Sequence, residues 1–237
     1  MPGAAAASEP AVEFAQAWAG AGGIGGWLTQ DQARSLWDGA QQVRPGGRML
    51  EIGSHQGRST VVLGVAARAR SASVIAVDPH VAGGMFGGAA TRDLFLANVA
   101  AADLSGVVEL VQEKSTAVRP GWREPLELLY VDGKHDYWTV RDDLRWVEHV
   151  APGGPVFVHD AFSSIGVTLG LLVHVLPGRR LRYVGRVGSL ARFEVGTPSA
   201  RDRLRMLAEL PWFLRNVAIK VVLRVARLWG STRPDPY

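Results

Sequence analysis

The chain has 237 residues, 47% hydrophobic and 20% charged, with a net charge of +4 and no cysteine. That length and balance suit one large globular domain or a domain with an appendage. The missing thiols exclude disulfides, thiolate metal sites and a cysteine nucleophile. The charge is uneven: residues 201–229 hold seven basic residues and two acids, so the body before them is near neutral.

In chain order, residues 1–20 read as an N-terminal extension: a loose end followed by a short helix near 10–19. No cationic leader precedes its alanines, so a signal peptide is not expected. GGIGGWLTQDQARSLWDGAQQV then reads as a loop feeding a helix, with Thr29 and Gln32 as a capping box and Leu36, Trp37 and Ala40 on one face. RMLEIG is a first strand, QGRSTVVLGVAARA a helix, and SVIAVD a second strand. The glycine-rich HVAGGMFGGAAT, around Met85 and Phe86, reads as a lid ahead of a helix at 91–103. VVELVQ and LELLYVD are the third and fourth strands. YWTVRDDLRWVEHV is a helix with Val140, Leu144 and Val147 on one face, and VFVHD is the fifth strand. A helix near 164–176 follows, and LRYVGRV and SLARFEV form an antiparallel pair about a tight glycine turn.

Strands alternating with helices predict an α/β fold: a Rossmann-like, doubly wound, mostly parallel sheet with a C-terminal antiparallel strand pair and a helical tail. Four of the first five strands carry an acid at or near their carboxyl ends, namely Glu51, Asp78, Asp132 and Asp160. In open α/β sheets that edge is where ligands bind. EIGSHQGRST places Gly53 and Gly57 at a strand-to-helix turn, where backbone N–H groups approach a ligand closely. The loop lacks the G-x-G-x-x-G fingerprint, which disfavours NAD or FAD. Asp78, 25 residues after Gly53, stands where a carboxylate accepts ribose hydroxyls. Asp132 and Asp160 would lie at the ends of neighbouring or near-neighbouring strands, where two carboxylates could hold a hard divalent cation such as Mg²⁺, which would acidify a coordinated hydroxyl. His159, just before Asp160, points the other way if the strand continues regularly.

Taken together, E-I-G-S-H-Q-G-R-S, V-I-A-V-D-P-H, V-D-G-K-H-D-Y and P-G-G-P-V-F-V-H-D resemble class I S-adenosylmethionine-dependent methyltransferases, within them the bacterial small-molecule and sugar O-methyltransferases. The resemblance runs from about Gly26 to Val195 and frames a methyltransferase domain over residues 21–197. It implies S-adenosylmethionine as cofactor, with Glu51, Gly53, Ser54, Gly57 and Ser59 at the methionine end, Asp78 at the ribose and Ser115 by the adenine. His55 and Gln56 stand either at the cofactor or as helix caps. Lys114 replaces the acid that the family often has before that serine. The resemblance also implies acids at both strand ends for metal and a histidine three residues after the first as base, which Asp132-Gly133-Lys134-His135 matches. Ala161 departs from it, since the residue after the second acid is often a further oxygen ligand. Without metal, Asp132 would face the sulfonium electrostatically and His135 would act alone. Lys134 reads as an anchor for an acidic substrate group or as surface, and Tyr137 and Trp138 as packing at the helix start or as a stacking surface for a sugar.

Residues 198–237 form a basic amphipathic helical tail, with Arg215, Lys220, Arg224 and Arg227 along one side and Trp212, Phe213, Val217, Val221 and Trp229 elsewhere. That pattern fits a helix lying in a membrane interface, and equally one packed on the domain or on a second copy. The expectation is therefore an O-methyltransferase acting on a sugar, glycan precursor or other small polar metabolite. It would be cytoplasmic, peripheral on the inner face of the membrane, and able to form a homo-oligomer. An RNA methyltransferase, suggested by a pI near 9.8, is the enzymatic alternative, weakened by the near-neutral body. A membrane-tethered cofactor-binding protein without chemistry is the non-enzymatic one.

Overall fold

The computed structural model describes residues 9–82 and 87–228. Met85, Phe86 and Trp229, expected in the lid and the tail, lie outside the described residues. Helix α1 (Glu9–Ala21) packs against α2 (Gln30–Ala40), with the rings of Phe14 and Trp37 6.0 Å apart. Helix α2 starts at the Thr29–Gln32 capping box read from sequence, in which side chain and backbone satisfy each other reciprocally.

The strands are β1 (Arg48–Ile52), β2 (Ser73–Val77), β3 (Val108–Val111), β4 (Leu128–Val131), β5 (Pro155–Val158), β6 (Leu181–Val187) and β7 (Leu190–Val195). They form one seven-stranded sheet in the order β3-β2-β1-β4-β5-β7-β6. The sheet is mostly parallel, with β7 antiparallel to both β5 and β6, as the alternation of elements predicts. All four residues of β4 and all four of β5 are buried, the mark of strands covered on both faces. Burying one such side chain contributes about 1.5–3 kcal/mol.

The chain divides into two compact units. Residues 1–118 with 126–128 hold α1, α2, β1, α3 (Arg58–Ala69), β2, α4 (Ala89–Ala101), β3 and α5 (Ser115–Val118). Residues 119–125 with 129–237 hold β5 to β7, α6 (Tyr137–Asp143), α7 (Ile165–Gly170), α8 (Ala200–Leu207) and α9 (Leu210–Leu228).

Two helices differ from expectation. The helix predicted over 137–150 is α-helical only to Asp143 and continues as 3₁₀ over Leu144–His149. The tighter winding eclipses positions three apart, which puts Leu144 directly over Val147, both buried beside Trp146. The helix expected near 164–176 widens to a π-turn over Leu171–Val175, burying Leu171 and Val175. The β6–β7 turn forms at Gly188, whose φ of 57° suits glycine.

Candidate active site

In the first unit, β1 ends at Ile52 and the chain turns through Gly53 and Gly57 into α3. Gly53 (φ 84°), His55 (48°) and Gly57 (91°) are left-handed. Glycine adopts that region freely, whereas histidine needs outside support. Asp78, one residue past β2, supplies it: its Oδ2 accepts the N–H of Ser54 at 2.9 Å and of His55 at 3.0 Å. Its Oδ1 accepts the N–H of His80 at 2.8 Å, and His80 donates from Nε2 to the His55 carbonyl at 3.0 Å. Three of the roughly four acceptor positions of a carboxylate are thereby used, leaving room for a ligand hydroxyl on a partly exposed group. These residues fit the ribose and backbone contacts expected for S-adenosylmethionine.

Glu51 is fully buried, and its two oxygens accept the hydroxyls of Ser59 and Thr60. Glu51 and Ser59 thus join the strand end to the start of α3. Ser54 is buried in the turn, and Ser115 is buried at the first position of α5. Sequence reading missed three residues that shape this loop. Arg58 donates to the carbonyls of Ile24 (2.6 Å), Leu28 (3.1 Å) and Gly22 (3.2 Å), tying the loop before α2 to α3. Asn98 of α4 donates to the Gln56 carbonyl at 2.9 Å, and His80 lies buried against Phe95. Arg58 stands inside the glycine motif and was open to notice; Asn98 and His80 carry no sequence signal that separates them from ordinary polar residues.

In the second unit, Asp132, His135, His159 and Asp160 converge at the carboxyl ends of β4 and β5. His135 lies between the two acids, its Nδ1 3.0 Å from Asp160 Oδ2 and its Nε2 3.5 Å from Asp132 Oδ1. His159 Nδ1 is 3.2 Å from Asp132 Oδ1 and 3.9 Å from Asp160 Oδ1. The expectation that His159 points away is therefore corrected. The parallel register of Val131 with Val158 continues into a bond from the His159 N–H to the Val131 carbonyl (2.9 Å), which sets His159 opposite Asp132. The left-handed φ of 52° at Asp160 breaks the alternation that would carry the next side chain to the other face. Tyr130 donates to Asp132 Oδ2 at 2.8 Å and Ser163 to Asp160 Oδ1 at 2.9 Å.

The electrostatics follow from this arrangement. Burial works against the charge on His135, but its bonds to Asp132 and Asp160 outweigh burial and push its pKa up to about 10. His159 is raised by Asp132 in the same way, against its own burial. Both acids are held below the usual carboxylate range despite desolvation, Asp132 chiefly by His159 and Asp160 chiefly by His135. Each carboxylate thus favours the charged form of the imidazole beside it, and each imidazole favours the charged form of its carboxylate.

Around it, Asp136 caps α6 through the N–H groups of Trp138 and Thr139. Lys134 is exposed with its Nζ 3.1 Å from Asp136. Tyr137 meets His174 at 3.0 Å, while Trp138 is exposed under Arg141 instead of packing inward. α7 approaches so closely that a methyl group on Gly166 would sit 2.3 Å from the His135 carbonyl oxygen.

Asp132 and Asp160 are the residues that would hold Mg²⁺. Among the described residues, the donors that converge within 4.8 Å come from Asp132, His135 and His159. One carboxylate with two imidazoles suits zinc, iron or nickel, whereas Mg²⁺ prefers oxygen and water. The set as arranged does not fit Mg²⁺.

Residues 50–161 match the family described as "Methyltransferase domain". Among solved structures, the fold is similar to an O-methyltransferase from Bacillus cereus in complex with SAH. The TM-score is 0.54 at 18% identity, covering 80% of this chain and 91% of that one. It is similar to the O-methyltransferase NovP, with TM-score 0.60 at 16% identity, covering 72% and 83%. It is also similar to an rRNA methylase from Streptococcus thermophilus, with TM-score 0.52 at 11% identity, covering 70% and 95%. At these identities the likeness is one of fold. The family match begins in β1 and runs through the glycine loop to the residue after Asp160, so this stretch is similar to a methyltransferase domain.

Proposed function

We propose that the chain is an O-methyltransferase that moves the methyl group of S-adenosylmethionine to a hydroxyl of a sugar, glycan precursor or other small polar metabolite. The observation that carries this reading is the position of His135, held by an acid at each ring nitrogen. Gly53, Ser54, Gly57, Asp78 and Ser115, with Glu51 and Ser59 behind them, form the cofactor side. Bound S-adenosylmethionine supplies an electrophilic methyl on a sulfonium. With an acceptor hydroxyl held in line with that methyl, neutral His135 would take the hydroxyl proton as the oxygen is methylated. Asp132 and Asp160 orient the ring and stabilise the imidazolium that forms. The same acids keep His135 protonated at rest, so only about one molecule in a thousand carries the base form at pH 7. The rate should therefore climb with pH toward about 10.

No step is assigned to Mg²⁺, because the donor set does not favour it. The RNA reading draws only on fold likeness and on net charge, and the site offers nothing specific to it. The test is transfer of labelled methyl to a panel of sugar and phenol hydroxyls, in EDTA and in Mg²⁺, with cofactor binding followed by calorimetry. Asp78→Ala should abolish binding, and His135→Gln should keep binding while kcat drops by roughly 10²–10⁴. Undiminished turnover in His135→Gln sinks the base assignment, and absence of cofactor binding in the wild type sinks the whole reading.

A further inference from the structure

Helix α9 has two unlike faces. Its inner face is fixed within the second unit. Asn216 is fully buried and donates to the Phe162 carbonyl at 3.1 Å, and Lys220 Nζ donates to the Ser163 carbonyl at 2.9 Å. Trp212 lies under the Arg186 guanidinium at 3.8 Å, and Arg186 in turn pairs with Glu209 at 2.7 Å. The expectation that all the tail cations share one side is thus corrected, because Lys220 is drawn inward by a backbone carbonyl.

The opposite face is apolar and exposed. Leu214 (64%), Val221 (56%) and Val222 (65%) are open to solvent, and Ala218 between them is exposed too. Leu214, Ala218 and Val221 follow the i, i+4, i+7 spacing of a single stripe. Arg215 lies about 100° round the helix from Leu214 in one sense, and Arg224 about 60° from Val221 in the other. Both are exposed, so a cation borders the stripe on each side. The 19 residues of α9 contain no acid.

We infer that this outer face of α9 seats on an anionic lipid surface, with the stripe in the headgroup boundary and Arg215 and Arg224 on lipid phosphates. The charge pattern selects this occupant. A second copy meeting the same face would bring the arginines of two acid-free helices together, whereas an anionic bilayer complements both edges and the stripe together. No helix among the described residues is long and apolar enough to cross a membrane, so α9 lies along the surface. This inference is independent of the acceptor and of His135.

The test is co-sedimentation of the full chain with vesicles of phosphatidylcholine alone and of phosphatidylcholine with an equal amount of phosphatidylglycerol. The wild type should pellet with the anionic vesicles only, and less so as salt rises. Arg215→Gln with Arg224→Gln should weaken binding roughly thirtyfold, at about a fivefold loss per arginine near the surface. Leu214→Ser with Val221→Ser should weaken it as well. These side chains are exposed, so an unchanged melting temperature and unchanged cofactor affinity confirm that each variant is folded. Failure of the wild type to bind anionic vesicles overturns the proposal, as does binding that survives both double variants. A dimer seen by light scattering and broken by Leu214→Ser with Val221→Ser also overturns it, since the face would then belong to a second copy.

Discussion

Asp160→Asn tests whether the two acids set the protonation of His135. The substitution is close to isosteric, asparagine tolerates the left-handed φ of 52°, and its amide oxygen can still accept from Ser163. What it removes is the negative charge 3.0 Å from His135 Nδ1. Two unit charges about 4 Å apart interact by about 4 kcal/mol at an effective dielectric of about 20, or about three pKa units. The His135 side chain is 42% exposed, and solvent screening there removes about half of that, leaving roughly one to two units. His135 should therefore titrate at roughly 8 to 9 in the variant instead of about 10, still above the ordinary value because Asp132 remains 3.5 Å from Nε2.

The assay is an NMR titration of the imidazole Cε1 proton in EDTA, with His135→Gln used to assign the resonance. If neutral His135 is the base, the acid limb of kcat/KM moves down by the same one to two units. A wild-type His135 that titrates near 6.5, or a variant resonance that does not move, would refute the argument that the paired acids control the base.

Three other outcomes follow from the same geometry. His135 keeps its proton to about pH 10 when folded and loses it near 6.5 when unfolded, so its contribution to stability is complete below about 6.5 and fades as pH rises toward 10; Asp132, depressed on folding, contributes above about 4 and is lost on acidification. Melting temperature should thus decline over the alkaline range in the wild type, and His135→Gln should flatten that decline. Gly166→Ala forces a methyl group to 2.3 Å from the His135 carbonyl and 2.8 Å from the Tyr137 nitrogen; it should cost about 1–3 kcal/mol and lower kcat while calorimetry shows unaltered cofactor affinity. Arg58→Met leaves the carbonyls of Gly22, Ile24 and Leu28 without their guanidinium; denaturant melts should show a loss of about 1.5–3 kcal/mol, together with weaker cofactor binding.

Much of the sheet was legible because its strands are short, continuous apolar runs closed by polar turns. LLYV and PVFV are buried at every position, and a run of that length admits few other readings. The Thr29–Gln32 box was equally plain, since capping is a local reciprocal bond. Where the reading failed, the cause was tertiary. The 3₁₀ turn at Leu144–His149 and the π-turn at Leu171–Val175 serve burial of particular side chains, which periodicity does not encode. Trp138 reads from sequence as packing or as a stacking surface and stands exposed, because only contacts from elsewhere in the chain decide whether an aromatic at a helix start is covered. The inward turn of Lys220 depends on the Ser163 carbonyl, 57 residues away in sequence.

His159 shows where that limit matters for chemistry. Strand alternation was sound as far as His159, and a regular continuation would have sent His159 and Asp160 to opposite faces. The left-handed Asp160 ends the alternation one residue too late to be read from VFVHD. The consequence is a cluster of four ionisable side chains where sequence suggested two acids and one base. Were only His135 and the two acids present, the cluster would carry a net charge of −1 and would favour a cation from solution. Asp132, 3.2 Å from His159 Nδ1, favours the charged form of that imidazole, which offsets the negative charge from within the protein. A hard divalent ion would have to displace imidazolium from both carboxylates before it could bind, at a cost that Asp132 and Asp160 in open water would not impose. His159 is thus the residue on which the metal question turns. Its replacement by Asn should raise the affinity of Mg²⁺ for Asp132 and Asp160, measured by calorimetry in the absence of cofactor, and an affinity no higher than that of the wild type would show that His159 does not guard the site.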